Sequence, residues 1–214
     1  MERLTLLLTK GDAKKIDDVF SKNILQLEKY AELLLWWNGK INLVSRDVSR
    51  ETILMHVKHS LFISLTDSFK ISKDIIDTGA GGGLPGIPLS ICFPEKNFVI
   101  NDIVTKKIFA VNDMINKLEL NSSVKGVAGD VGQIDFGNSK TLISKHAFKI
   151  DQLYNIIKGK NWERIVFLKG HEEASDEGEK LGAKINMQIT KLDSEFMDSF
   201  YNGKGLVEIE RKSL

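Results

Sequence analysis

The stretch Asp77-Thr78-Gly79-Ala80-Gly81-Gly82-Gly83-Leu84-Pro85-Gly86-Ile87-Pro88 constrains the fold more than any other part of the chain. It packs five glycines into residues 79–86, after the apolar pair Ile75-Ile76 and before the apolar stretch Leu89 to Phe93. Glycine turns tightly and lets a ligand lie directly against the backbone. Proline is tolerated near the first helical positions, whose amides lack intrahelical partners, and all three prolines fall between 85 and 94. A buried strand, a glycine turn and a helix make the opening of an α/β sheet, and ligands of such sheets bind outside the carboxyl ends of the strands. A plain surface loop needs no such density of glycine.

The rest of the chain fits that reading. Ile16, Phe20, Ile24, Leu27, Ala31 and Leu34 share one helix face, and Asn38-Gly39 stops the pattern. A second helix carries Ile53, His56, Val57, Ser60 and Leu61. From residue 74, short apolar runs (75–76, 98–100, 142–143 and 165–168) alternate with helical stretches at 106–118 and 150–157. Strands alternating with helices predict right-handed βαβ units and a parallel sheet. Ile185–Leu192 and Leu206–Glu210 flank the turn Asn202-Gly203-Lys204-Gly205, which predicts a closing antiparallel pair. The expected fold is α/β: a doubly wound, mostly parallel sheet over residues 74–214, with a C-terminal antiparallel pair and a helical N-terminal extension over 1–73.

Two ligands suit the loop. Gly81-Gly82-Gly83-Leu84-Pro85-Gly86 satisfies G-x-G-x-x-G, which suggests a dinucleotide such as a nicotinamide cofactor. The turn begins at Gly79, however, and Pro85 stands where a pyrophosphate wants an amide. The other candidate is a nucleoside cofactor such as S-adenosylmethionine. Asp102 closes the next strand, Phe98-Val99-Ile100-Asn101, and its carboxylate can accept hydrogen bonds from both hydroxyls of a ribose. A turn or helix-cap aspartate is its competing role.

Composition narrows the class. With 42% apolar and 28% charged residues, the 214-residue chain reads as an ordinary globular protein. The single cysteine, Cys92, excludes an internal disulfide and a multi-cysteine zinc site. No H-x-x-x-H pair occurs among the four histidines, so no metal is expected. The run Leu33–Trp37 is far shorter than the roughly 20 residues of a membrane span. Leu4–Leu8 is too short for a secretory core of about 7–15 residues. The expectation is a cytoplasmic protein with no membrane association. Net charge is only +1, so a nucleic acid would need a local patch. Residues 137–170, with 7 Lys/Arg against 2 Asp/Glu, read either as such a patch or as plain solvated surface.

The chain resembles the bacterial 16S rRNA guanine-N7 methyltransferases, also called glucose-inhibited division protein B. Trp37-Asn38-Gly39-Lys40-Ile41-Asn42-Leu43 is similar to the family's W-N-x-x-x-N-L. His56-Val57-Lys58-His59-Ser60-Leu61 is similar to H-x-x-D-S-L, with His59 in place of the aspartate. Asp77 to Pro88 matches the family's D-x-G-x-G-x-G-x-P-G-x-P, and Leu168-Lys169-Gly170 its late L-K-G. The resemblance implies a Rossmann-like class I methyltransferase, S-adenosylmethionine as cofactor, and 16S rRNA or the small ribosomal subunit as partner.

It further implies a cofactor site of Asp77, Gly79, Gly81, Leu84, Asp102, Asp130, Val131 and Gly132. Gly132 stands where the family carries an acid, a role that Asp130 can assume. Ser144-Lys145-His146-Ala147 replaces the family's S-R-A, so the arginine's place falls to Lys145 or His146 as the catalytic candidate. Arg46, Arg50, Lys58, Lys106, Lys107, Lys149 and Lys169 are the candidate RNA contacts. Lys106-Lys107 open a helix, where cations oppose the helix dipole, which hints at phosphate binding. His56 and Trp36-Trp37 read first as packing residues. A monomer is expected. Two other classes remain open: a nicotinamide-dependent oxidoreductase, and a non-catalytic rRNA-binding or ribosome-assembly protein on the same fold.

Overall fold

The computed structural model describes residues 3–212. The N-terminal part contains strand β1 (Arg3–Leu7) and helices α1 (Lys10–Lys22), α2 (Ile24–Asn38), α3 (Arg50–Leu61) and α4 (Asp67–Ile71). Strand and helix then alternate: β2 (Asp74–Thr78), α5 (Gly86–Cys92), β3 (Asn97–Asp102), α6 (Thr105–Lys117) and β4 (Val124–Ala128). They are followed by β5 (Thr141–Lys145), α7 (Ile150–Ile157), β6 (Arg164–Gly170), α8 (His171–Glu179), β7 (Ile185–Lys191) and β8 (Lys204–Arg211).

The eight strands form one sheet in the order β1-β7-β8-β6-β5-β2-β3-β4. β8 runs antiparallel to both β6 and β7, and the remaining pairs are parallel. From β2 the chain winds outward to β3 and β4, then returns to β5 on the other side. Strand order therefore reverses between β2 and β5, and the crevice at their carboxyl ends is where an open α/β sheet receives a ligand.

The expected doubly wound sheet, the closing antiparallel pair and the helices near 106–118 and 150–157 are all present. Two further strands carry no strand pattern in the sequence. Leu4–Leu8, read only as a short apolar patch, contributes the edge strand β1, which pairs in parallel with β7. The N-terminal extension is thus not purely helical. β4 carries Gly126, whose N–H donates to Asn112 Oδ1 at 2.9 Å; as an outer strand it lacks a continuous apolar run.

Two cores lie on the two faces of the sheet. One joins Ile16, Leu27, Leu34 and Ile53 of the N-terminal helices to Ile75, Phe98 and Ile100 of the sheet. The other packs Leu153 and Ile157 against Ile76, Leu142 and Phe167. The N-terminal helices therefore share the sheet's own core. Tyr30 of α2 is buried and donates its hydroxyl to the carbonyl of Gly82 at 2.9 Å, so α2 rests directly on the glycine turn.

Candidate functional site

A cavity of about 650 Å³ opens at the carboxyl ends of β2, β3, β4 and β5. The glycine turn and Leu84 form its floor, Asp102 to Val104 one wall, Asp130-Val131 a second, and Lys145 to Phe148 a third. Leu43-Val44-Ser45, ahead of α3, close it from above. Asn38 shapes that last segment: its Oδ1 accepts from the amides of Leu43 and Val44, both at 2.9 Å, and its Nδ2 donates to the Ser45 carbonyl at 3.0 Å. This is the physical work of the asparagine in Trp37-Asn38-Gly39.

The turn is built for close contact. Gly81 adopts φ +55°, a left-handed conformation that side chains disfavour. A Cβ on Gly82 would lie 2.3 Å from Leu34 Cδ1, so glycine there lets α2 approach. The amides of Gly83 and Leu84 donate back to the Ala80 carbonyl at 2.8 and 3.0 Å, and Gly86 N donates to Asp77 Oδ2 at 2.7 Å. All three amides are therefore engaged by the protein itself.

Asp102 is nearly buried at the cavity wall. Its Oδ2 accepts from Gly81 N at 2.9 Å and lies 3.7 Å from Lys107 Nζ, while Oδ1 accepts from Val104 N at 2.9 Å. It thus fills the turn role and lines the cavity as well. A carboxylate has roughly four acceptor sites, leaving capacity for a vicinal diol. Asn101 braces this corner, accepting from Thr78 Oγ1 and donating to the carbonyls of Val127 and Gly129. The strand pattern gave no signal for that role.

Asp77 lies beneath the turn and does not line the cavity. Burial pushes its carboxyl up to about 8, against the opposing hydrogen bond from Gly86 N, and its Oδ1 has no hydrogen-bond partner. Gly132 likewise stands behind the wall, its amide donating to Asp130 Oδ1 at 2.7 Å. Asp130 itself is exposed and faces the cavity beside Val131.

Lys145 ends β5. It is buried, and its Nζ donates to the His56 carbonyl of α3 at 2.7 Å, which ties the roof helix to the sheet. Burial, aided by Lys204 and opposed by Asp77, brings its ammonium down to about 7. His146 follows at φ +53°, an uncommon conformation for a non-glycine residue. His56 and His146 both line the cavity, and burial with the Lys145 charge lowers each imidazole to about 4.

His59 is enclosed by Phe62, His146, Phe200 and Tyr201, and neither ring nitrogen has a hydrogen-bond partner. Burial, reinforced by Lys145, His146, Lys204 and His56, holds its pKa far below the ordinary value. Below about pH 6.5 the unfolded chain takes up a proton that the folded ring refuses, so this group makes stability fall as pH drops. Urea unfolding of His59→Phe should therefore show a smaller loss of stability between pH 7.5 and 5.5 than wild type. Identical pH dependence of the two proteins would remove His59 as its source.

The candidate RNA residues separate. Arg46, Lys106 and Lys149 are exposed, and Lys107 is half-buried at the cavity lip. Arg50 pairs with Glu28 at 3.0 Å and Lys58 with Asp17 at 2.5 Å, which occupies both. Lys169 requires a correction: only 3% of its side chain is exposed and it is ion-paired with Glu177, out of reach of a phosphate. The late Leu168-Lys169-Gly170 segment is a packing element. Trp36, read as core, is 52% exposed.

A family model described as rRNA small subunit methyltransferase G matches residues 23–207. A relative of that name from Christiangramia forsetii is 33% identical over 214 residues, covering 96% of this chain and 97% of its own. Another from Pelodictyon phaeoclathratiforme is 39% identical over 137 residues, covering 60% of this chain. This second match spans only about half, 56%, of that relative's length. In architecture the chain is similar to an O-methyltransferase from Bacillus cereus, solved in complex with SAH, with a TM-score of 0.60 at 15% identity. That likeness covers 86% of this chain and 90% of the other, and shows the shared Rossmann-like fold. The glycine turn, the sheet order and the extent of these matches agree: the chain belongs to the rRNA small subunit methyltransferase G family.

Proposed function

We propose that the protein methylates guanine N7 in small-subunit rRNA, with S-adenosylmethionine as donor. The observation that carries this reading is the cavity at the β2/β5 strand-order reversal, where the glycine turn and Asp102 converge. The residues fit that cofactor. Asp102 offers acceptors for ribose hydroxyls, Val131 and Ile156 an apolar wall for a base, and Asp130 an acceptor beside it. The pyrophosphate of a nicotinamide cofactor fits less well, because the amides of Gly83, Leu84 and Gly86 are engaged. Titration calorimetry tests the choice: S-adenosylhomocysteine should bind and NAD should not, whereas binding of NAD alone would overturn it.

When bound, S-adenosylmethionine supplies a methyl group on a sulfonium sulfur, open to in-line attack by a lone pair. Guanine N7 presents such a lone pair at neutral pH, so no residue need remove a proton first. The protein's task is positioning. Lys145 fixes α3 over the cavity, and His56 and His146 present neutral imidazoles that can accept as well as donate hydrogen bonds. A lysine brought down to about 7 also limits like-charge repulsion beside a sulfonium.

Lys145→Ala should cut methyl transfer at least tenfold, equivalent to about 1.4 kcal/mol of transition-state stabilisation. His146→Ala should mainly raise the KM for the ribosomal substrate. The reverse pattern in steady-state kinetics would make His146 the equivalent of the family arginine. The ribosomal substrate implies action in the cytoplasm. We further propose a monomer, which light scattering tests. Among the described residues no helix is long and apolar enough to cross a membrane.

A further inference from the structure

Along α6, which starts at the cavity lip and ends at Lys117 beside Trp36, the surface carries exposed aromatic rings. Trp36 is 52% exposed, Phe109 67% and Ile103 69%. The rings are continuous: Trp36 meets Trp37 edge-to-face at 5.0 Å, and Trp37 meets Phe109 edge-to-face at 5.8 Å. Trp37 is anchored by its indole N–H, which donates to Asp113 at 2.8 Å. A soluble protein has no folding reason to expose this surface as one group, and such patches mark interaction sites.

Its charges indicate the partner. Lys40 Nζ lies 4.2 Å from the Trp36 ring centre and Lys117 Nζ 4.9 Å. Lys106, three residues before Phe109 on α6, is exposed. The acid among them, Asp113, is engaged by Trp37 and Lys117. Ile103, Val104 and Lys107 carry the group to the cavity lip. Flat rings flanked by lysines are what unpaired nucleotides use: bases stack on the rings while lysines meet phosphates. A lysine lying over Trp36 can swing from ring to phosphate on its flexible stem.

We propose that Trp36 and Phe109 form a stacking platform for unpaired RNA nucleotides next to the methylated guanine, with Lys40 and Lys106 holding the backbone. The assignment rests on the methyltransferase reading for its substrate but not for its physics. It favours RNA over a protein partner because the patch pairs exposed rings with a surplus of cations.

Binding of a fluorescent single-stranded RNA to the full-length protein, alongside crosslinking to small ribosomal subunits, tests it. Trp36→Ala and Phe109→Ala should each weaken RNA binding by about tenfold, within the range of one base–aromatic stack. Trp36→Phe should restore most of the affinity, and both alanine variants should keep wild-type Tm and affinity for S-adenosylhomocysteine. Unchanged RNA affinity in both alanine variants would overturn the platform. So would crosslinks from this surface to a ribosomal protein instead of rRNA. If the wild-type protein transferred no methyl group, the activity would fail as a reading while the RNA affinities still decided the platform.

Discussion

Asp102→Ala is expected to weaken binding of S-adenosylhomocysteine by roughly 100-fold, about 2.7 kcal/mol, while the protein stays folded. A hydrogen bond to a charged group is worth roughly 1.5–3 kcal/mol, so losing the ribose contact alone would suffice for much of this effect. The structure adds a second loss. The same carboxylate accepts from Gly81 N and Val104 N, so its removal frees the glycine turn and the start of α6 together. Asp102→Asn keeps one carbonyl oxygen and should fall between wild type and alanine. Cofactor affinity within twofold of wild type in the alanine variant would mean that Asp102 serves the turn and not the ribose.

Gly81→Val should abolish measurable cofactor binding. Valine is stiff at χ1 and costly at φ +55°, and its Cβ would already stand 3.3 Å from the Leu43 carbonyl. Both the turn and the Leu43 segment that it touches must shift, and both line the cavity. Gly81→Ala carries the backbone strain without the branched methyls, so it should bind weakly instead of not at all. The core beneath is untouched, so far-UV circular dichroism should remain native with a modest drop in Tm. Full binding in a natively folded valine variant would refute the assignment of this turn to the cofactor.

Much of this was legible because the signals were local. The glycine turn, the strands around Ile75, Phe98, Leu142 and Ile165, and the aspartate at the end of the second of these each follow from short-range pattern. What escaped depends on tertiary contact. Lys169 and Lys149 look alike in the sequence, but one is buried against Glu177 and the other exposed. Asp77 opens the glycine motif, yet its place beneath the turn is settled by Gly86 N, nine residues on. Trp36 and Trp37 are adjacent, and helix rotation alone sends one to solvent and the other toward Asp113. β1 pairs with a strand about 180 residues away, which no local pattern encodes.

Methylation of guanine N7 is tested by incubating the protein with labelled S-adenosylmethionine and small ribosomal subunits from cells lacking this modification. The rRNA is then digested to nucleosides and the methylated product identified by mass spectrometry. Close to one methyl group per 16S rRNA is expected, recovered as N7-methylguanosine and lost with Asp102→Ala. No incorporation, or label recovered on ribosomal protein or on another nucleoside atom, would contradict it.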